Sequence, residues 1–505
     1  MSDLVTPFLR GYSRVFLIEG GARPDRKPVY QGCMMAGGVS QEFGDVENIE
    51  CPSPDRHGDY EVVGQIQSEA GRATLTLTGR YPLTTISDLL RLAKRRCPVE
   101  VVIVSGACTD PSDFDSFDKA KHLSGAFITS HSTEDEGSLT SGDESVVNES
   151  ADISAEEQYE VMPLAFTRST QSAIAAQMVD VTICDAPACG KCGNESSGCL
   201  KIYAVTRART TAPADLVYSL DGGRTWHSSS ITTLGNTEDP TAVACVGGYV
   251  VVSSSASNSL HYVRQEALDG SGGETWTEVT TGFVAAHGPL AMASTGRYLF
   301  IAGAGGYVYG TEDVTAGVEV LNAAGAVDPD TGNPITDNLY AIDAVSRYLA
   351  VAVGASGAIM ATYDGETWTG LSRPIASDLN ALEMTSERVW LVGTASGRLY
   401  YTTNGGDSWA ESAFPGSGAG AVHAVKFVNE AVGYLAHATA APRGRILRTH
   451  NGGNTWYLLP ESGHGSMPAA DRFEALAACP YDPNLVVGVG LADNGTDGIL
   501  VVGRG

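Results

Sequence analysis

Thr402-Thr-Asn404-Gly-Gly406-Asp-Ser408-Trp409 and Thr449-His-Asn451-Gly-Gly453-Asn-Thr455-Trp456 are one phrase written twice. A third copy reads Ser219-Leu-Asp221-Gly-Gly223-Arg-Thr225-Trp226. Thr362-Tyr-Asp364-Gly-Glu-Thr367-Trp368 is one residue shorter, and Asp269-Gly-Ser-Gly-Gly273-Glu-Thr275-Trp276 carries an insertion. Five of the six tryptophans end this phrase, at intervals of 50, 92, 41 and 47 residues. Because 92 is twice 46, a further copy belongs near residue 315. Thr311-Glu-Asp313-Val-Thr-Ala-Gly317-Val lies there and reads as a copy that has lost its Trp. Self-similarity at this period marks a repeat architecture.

Each phrase follows two short apolar runs and a third that leads into it, as in Ala341-Ile-Asp-Ala-Val, Tyr348-Leu-Ala-Val-Ala-Val and Ala358-Ile-Met-Ala-Thr. Such runs are strands, and four strands in 40 to 50 residues are the size of one propeller blade. Within the phrase, Asp or Asn accepts bonds from turn amides, Gly takes a positive φ, and Thr and Trp open the last strand. The Trp is expected to pack between neighbouring repeats.

The phrase resembles the Asp box, or BNR repeat, of sialidases, sortilin-type receptors and the seven-bladed photosystem assembly factors. The resemblance covers about residues 175 to 505 and implies a β-propeller; counting the repeat units gives seven blades, near 176–230, 241–280, 289–325, 339–371, 379–413, 421–459 and 473–505. The last unit shows only three strands, so an upstream strand is expected to close the ring. Asp boxes are structural and lie away from the face where ligands usually bind. They assign structural roles to Asp221, Gly223, Trp226, Asp269, Trp276, Asp364, Trp368, Asn404, Gly406, Trp409, Asn451, Gly453 and Trp456, and no glycosidase chemistry. A sialidase also needs an arginine triad, and Arg207, Arg264 and Arg347 lie in no matching context.

Composition narrows the function classes. Of 505 residues, 59 are Gly and only 18% are charged, which suits short strands and tight turns rather than a helical bundle. Lys and Arg total 32 against 59 Asp and Glu, so the formal charge of −27 opposes a nucleic-acid-binding surface, although an acidic wall lets DNA slide past. No apolar run reaches the ~18 to 20 residues of a membrane span, and no basic, apolar leader opens the chain, so synthesis in the cytoplasm without membrane insertion is expected.

Four of the ten cysteines cluster as Cys184-x4-Cys189-x2-Cys192-x6-Cys199. Four thiolates could hold one structural zinc, and two disulfides would brace the same excursion by chain constraint. The others, at 33, 51, 97, 108, 245 and 479, read as small buried hydrophobes.

Residues 1–170 contain no Trp and no repeat phrase, and form a domain apart from the propeller at 171–505. Strand candidates include Arg14–Ile18, Tyr60–Ile66, Ala73–Thr78, Val99–Val104 and Gly125–Thr129. One helix is expected from Leu89, Leu90, Leu92 and Ala93, capped by Thr85 or Ser87 and ending in Lys94-Arg95-Arg96. A small β-sandwich with one flanking helix accounts for these elements. Residues 134–160 hold ten Asp and Glu and no Lys or Arg, and read as an acidic hairpin or linker.

A small sandwich, one helix, a long polar loop from Gln41 to Gly71, an acidic balance and an appended module together resemble the major tail tube proteins of long-tailed bacteriophages. That resemblance implies a structural virion protein: hexameric rings that stack with other tail proteins and conduct DNA through the lumen without specific binding. The propeller would decorate the outside, in reach of a host-surface glycan or protein. The alternatives are a free-standing propeller acting as a binding or assembly factor, or a glycan-binding or sialidase-like protein. No Ser-His-Asp order, metal-binding His pair or phosphate loop is present, so no catalytic residues and no enzyme activity are expected.

Overall fold

The computed structural model describes residues 13–27, 30–36, 40–41, 46–52, 60–67, 73–82, 88–95, 98–105, 120–135, 146–155, 157–162, 164–169, 176–185, 200–209, 211–439, 443–460, 466–479 and 482–505. They fall into two compact units, dividing between Pro163 and Leu164 apart from Arg23–Asp25, which group with the second.

The first unit holds strands β1 (Ser13–Glu19), β2 (Tyr30–Ala36), β3 (Ser40–Gln41), β4 (Val46–Pro52), β5 (Tyr60–Gln67) and β6 (Ala73–Pro82), then helix α1 (Asp88–Arg95). Strands β7 (Val99–Ser105), β8 (Ala120–Asp135), β9 (Val146–Ala155) and β10 (Glu157–Val161) complete it. Pairing runs β8–β7–β1–β2–β6–β9 and returns to β8, so six strands close into a ring instead of the two separate layers of the expected sandwich. The length of β8 makes this possible: residues 120–126 pair with β7 and residues 127–135 with β9. The interior is filled by alternate residues such as Val15, Leu17, Leu75, Val101, Leu123 and Ile153, and by Leu92 from α1. The expected caps Thr85 and Ser87 lie outside the described residues. Within the Gln41–Gly71 stretch, β4 and β5 pair antiparallel as a two-stranded sheet of their own. The acidic segment contributes the end of β8, β9 and most of β10, and Asp152 there accepts bonds from Thr76 Oγ1 at 2.7 Å and Ser130 Oγ at 2.6 Å.

The second unit is a β-propeller of seven four-stranded antiparallel sheets. Sheets 1 to 6 span 178–230, 242–279, 289–323, 339–370, 379–412 and 422–458, each in simple sequence order. Their innermost strands are Met178–Asp185, Ala242–Val246, Pro289–Ser294, Leu339–Ala344, Leu379–Met384 and Val422–Phe427, and that of sheet 7 is Ala470–Cys479. Adjacent innermost strands touch all the way round, the first against the seventh included. The second strands of sheets 3, 4 and 5, Leu299–Gly303, Ala350–Gly354 and Trp390–Thr394, are buried along their whole length, because both faces meet neighbouring sheets. Sheet 7 has three strands from the chain's end, and its fourth is β11 (Ala165–Arg168), paired antiparallel with Gly498–Arg504. Phe166 of β11 lies against Gly503, where a Cβ would come within 2.7 Å of its ring. Joining the first strand to the last ties the ring shut by backbone hydrogen bonds.

Candidate functional site

The recurring phrase forms the turn between the third and fourth strands of each of the first six sheets. Asp221 accepts the Arg224 and Thr225 amides at 3.0 and 2.8 Å and the Thr225 hydroxyl at 2.6 Å. Asp364 accepts the Glu366 and Thr367 amides at 2.8 and 2.7 Å, Asn404 the Ser408 amide at 3.0 Å, and Asn451 the Thr455 amide at 3.0 Å. Asp269, in the copy with the insertion, accepts the Ser271 amide at 2.8 Å, and Asp313, in the copy without Trp, the Thr315 amide at 2.9 Å. Donated bonds favour the carboxylate, so they hold Asp364 and Asp313 below the usual range. Asp221 also lies low, since its bonds outweigh the burial that would raise it. Gly406 has φ +90°, and a Cβ there would meet the Leu371 and Trp390 side chains within 2.9 Å, so glycine is required twice over.

Each Trp of the phrase reaches into the preceding sheet. Trp226 packs on the cluster that includes Leu500 and Val502 of sheet 7, and Trp368 meets Phe300 of sheet 3 edge-on at 6.2 Å. Trp276 Nε1 donates to Ser229 Oγ of sheet 1 at 3.2 Å, Trp409 Nε1 to the Ser372 carbonyl at 3.0 Å, and Trp456 Nε1 to Ser412 Oγ of sheet 5 at 3.3 Å. At the position where the third copy lacks Trp, directly before the fourth strand of sheet 3, stands the buried Val318. The sixth tryptophan, Trp390, lies outside the phrase and is the largest fully buried side chain.

The seven innermost strands surround a central channel of about 710 Å³. Charged residues on and beside the innermost strands link one sheet to the next. Asp180 of sheet 1 accepts the Val181 amide and the Val243 amide of sheet 2, both at 2.8 Å. Asp343 of sheet 4 accepts the Met384 amide of sheet 5 at 2.8 Å. Glu383 of sheet 5 accepts the Phe427 amide of sheet 6 at 2.8 Å and the Lys426 ammonium at 2.6 Å. Glu474 of sheet 7 faces His423 of sheet 6 at 3.3 Å, accepts Gln177 Nε2 at 2.6 Å and pairs with Arg472. Burial pushes Asp180 up to about 6 against its two amide donors, and Glu383 up to about 7 against the pull of Lys426. Burial alone would lower Lys426, but the Glu383 and Asp343 carboxylates outweigh it and hold the ammonium above the ordinary lysine value. Burial would raise Glu474, yet His423 and Arg472 bring it down to about 2. Charged positions in the innermost strands gave no repeat signal, which is why the sequence concealed this network.

Cys184 and Cys245 form a disulfide between the innermost strands of sheets 1 and 2, with Cα atoms 6.2 Å apart. This corrects two expectations. Cys184 is bridged to a distant cysteine and not to its own cluster, and Cys245 is no unbonded core hydrophobe. Antiparallel neighbours within a sheet are visible in local sequence, whereas the facing of two separate sheets across 61 residues is not. Cys189, Cys192 and Cys199 lie outside the described residues. Among the described residues no His, Cys, Asp and Glu group is arranged to hold a metal ion, and no helix is long and apolar enough to cross a membrane.

The described histidines make structural contacts. His261 is buried between the hydroxyls of Ser259 and Thr233, each at 2.8 Å, and burial lowers it to about 4, so it is neutral at pH 7. His122 in the first unit is buried 3.2 Å from Glu100 and stacked on Tyr159.

No protein-family model and no curated protein matches the sequence. Solved structures that superpose on it include YCF48 from Cyanidioschyzon merolae, at 13% identity and a TM-score of 0.49 over 67% of this chain and 98% of that one. YCF48 bound to D1 peptide aligns at 13% identity and 0.49 over 68% of this chain and 98% of that one. The WD40 β-propeller domain of Doa1 aligns at 11% and 0.47 over 68% and 96%. At these values the likeness carries no argument about function.

Proposed function

We propose that this protein is a non-catalytic binding or assembly factor in which the propeller is a rigid platform for protein partners. One observation carries the reading: the channel carboxylates are spent on the ring itself. Asp180, Asp343 and Glu383 each accept an amide from the next sheet, and Glu474 is held by His423, Arg472 and Gln177. A general acid or base must be able to reach a substrate proton, and groups committed in this way serve rigidity instead. A platform built so firmly suits recognition by its loops. The test is selection of a displayed library of linear peptides on the immobilised full-length protein. Enrichment of a shared sequence is expected; no enrichment, together with hydrolysis of a fluorogenic sialoside, would replace this reading with the glycan-processing one.

A second reading, a phage tail tube subunit, is favoured by the closed six-stranded ring of the first unit and its separate β4–β5 hairpin. In it the first unit builds stacked hexameric rings around passing DNA, and the propeller is an external decoration on the virion. Negative-stain electron microscopy at rising protein concentration tests it. Six-fold rings or tubes with peripheral knobs are its expected outcome, and monomers at every concentration, with or without tail extract as a seed, would sink it.

A further inference from the structure

We infer that the cavity at the seam between sheets 2 and 3 is a peptide site that takes an aromatic side chain adjacent to a carboxylate; the inference rests on the binding-factor reading and locates it. The repeats themselves point there. Five turns send a Trp into the preceding sheet, but in the third copy Val318 stands five residues after Asp313, where Asn404 and Asn451 are followed by Trp409 and Trp456. A cavity of about 730 Å³ opens against the same turn, which reaches it through Thr315. The adjoining second copy is also irregular, with seven residues from Asp269 to Trp276 where Asp221 to Trp226 takes five. The extra residues bring Ser271, Gly272 and Gly273 to the cavity wall, and nothing lies within 4 Å of where a Cβ on either glycine would sit.

The lining matches an aromatic ring with an acid beside it. Tyr249 and Tyr262 meet edge to face with centroids 5.2 Å apart, a geometry that a third ring can extend. The Arg264 guanidinium lies 5.3 Å over the Tyr249 ring, is exposed, and has no carboxylate partner among the described residues. Glu274, the one carboxylate that lines the cavity, accepts Tyr218 Oη at 3.1 Å and Ser229 Oγ at 3.0 Å, so in a chain of charge −27 the Arg264 guanidinium offers a bidentate seat to a ligand carboxylate. Thr315, from the turn that lacks Trp, borders the opposite side.

The test uses the full-length protein and three capped dipeptides, N-acetyl-Asp-Trp-amide, N-acetyl-Asp-Ala-amide and N-acetyl-Lys-Trp-amide, followed by saturation-transfer NMR and titration. The Asp-Trp probe is expected to bind, with saturation strongest on the indole protons, and the other two to bind roughly tenfold more weakly or not at all. Thr315→Trp, which fills the cavity from its rim, and Arg264→Ala, an exposed change, should each weaken the Asp-Trp probe by about tenfold while both variants keep a cooperative thermal transition. Equal binding of all three probes, no binding of the Asp-Trp probe, or full binding to both folded variants overturns the site. The displayed library separates this failure from the wider one. Peptides that are enriched yet indifferent to both variants leave the binding-factor reading standing without this site, whereas a library that yields nothing removes both. Preferential binding of a methyl glycoside in the same cavity also overturns the peptide assignment.

Discussion

The seam between sheets 5 and 6 and the seam between sheets 2 and 3 join the same kind of blade by different means. At the first, Trp456 is buried among Leu391, Phe414 and Leu435, its indole donates to Ser412, and Glu383 reaches across the channel end to Phe427 and Lys426. At the second, Val314 and Val318 meet Tyr309 and Phe283, and Thr241 Oγ1 donates to the Pro289 carbonyl at 3.0 Å. One seam is filled by a large side chain with a polar anchor at each end. The other is filled by valines against aromatic rings, with no indole from the turn, and a cavity opens beside it. The difference teaches that ring closure needs every sheet to be covered, while the means of covering is free to vary.

The comparison can be broken most sharply by truncation. Trp456→Ala is expected to cost about 3 to 5 kcal/mol in urea unfolding, because a large buried ring is lost and Ser412 is left without its donor. Val318→Ala at the other seam should cost only about 1.5 kcal/mol, the value of two buried methylenes. Equal losses at both seams would show that Val318 already does the work of an indole.

The seam between sheets 1 and 2 has a covalent member. Cys245→Ser is expected to lower stability by about 2 to 4 kcal/mol without reductant and to change little when both proteins are measured with reductant. Persistence of the full difference in reductant would mean that side-chain packing, and not the bridge, holds that seam.

Smaller effects come from titration, and the signs differ between channel and rim. Asp180 is raised, to about 6, so the folded protein keeps a proton that the unfolded chain loses. Its contribution is fully present below the ordinary aspartate value near 4 and is lost as the pH rises through about 6. Asp180→Asn should therefore flatten the fall in melting temperature between about pH 4 and 6. Asp364 is lowered by its amide donors, so its contribution is present above about pH 4 and is lost as the pH falls further. Asp364→Asn, which copies Asn404 and Asn451, should melt slightly below the parent at pH 7, where the charged acceptor is lost, and lose less further stability in acid. An identical acid limb in the two proteins would remove the turn carboxylate from the account.

The propeller was legible because its information is local. Turn residues, strand alternation and the Trp spacing all fall within one unit of about 46 residues, and the observed sheets begin and end within a few residues of the repeat units. The third copy could be placed without its Trp, since Asp313 and Thr315 still make the turn. The need for an upstream strand was also visible, because the final unit had three strands and a ring tolerates no open edge. The channel network was hidden for the opposite reason. Asp180, Asp343, Glu383 and Lys426 stand one to a strand in apolar surroundings, and their partners belong to other repeats. Likewise, the ring of the first unit depends on which half of β8 pairs with which neighbour, a choice that alternation does not encode.

By itself, then, the sequence determined the strand-rich class, the repeat, the turns and the side chains that fill each seam, since these follow from backbone preference and hydrophobic period over a few residues. Only the tertiary structure decided that Cys184 meets Cys245, that β11 completes the seventh sheet, that carboxylates of the innermost strands serve as bolts between blades, and that a cavity opens beside the turn of the third copy. Each of these depends on residues far apart in the chain being brought together by closure of the ring, and no local preference carries that distance.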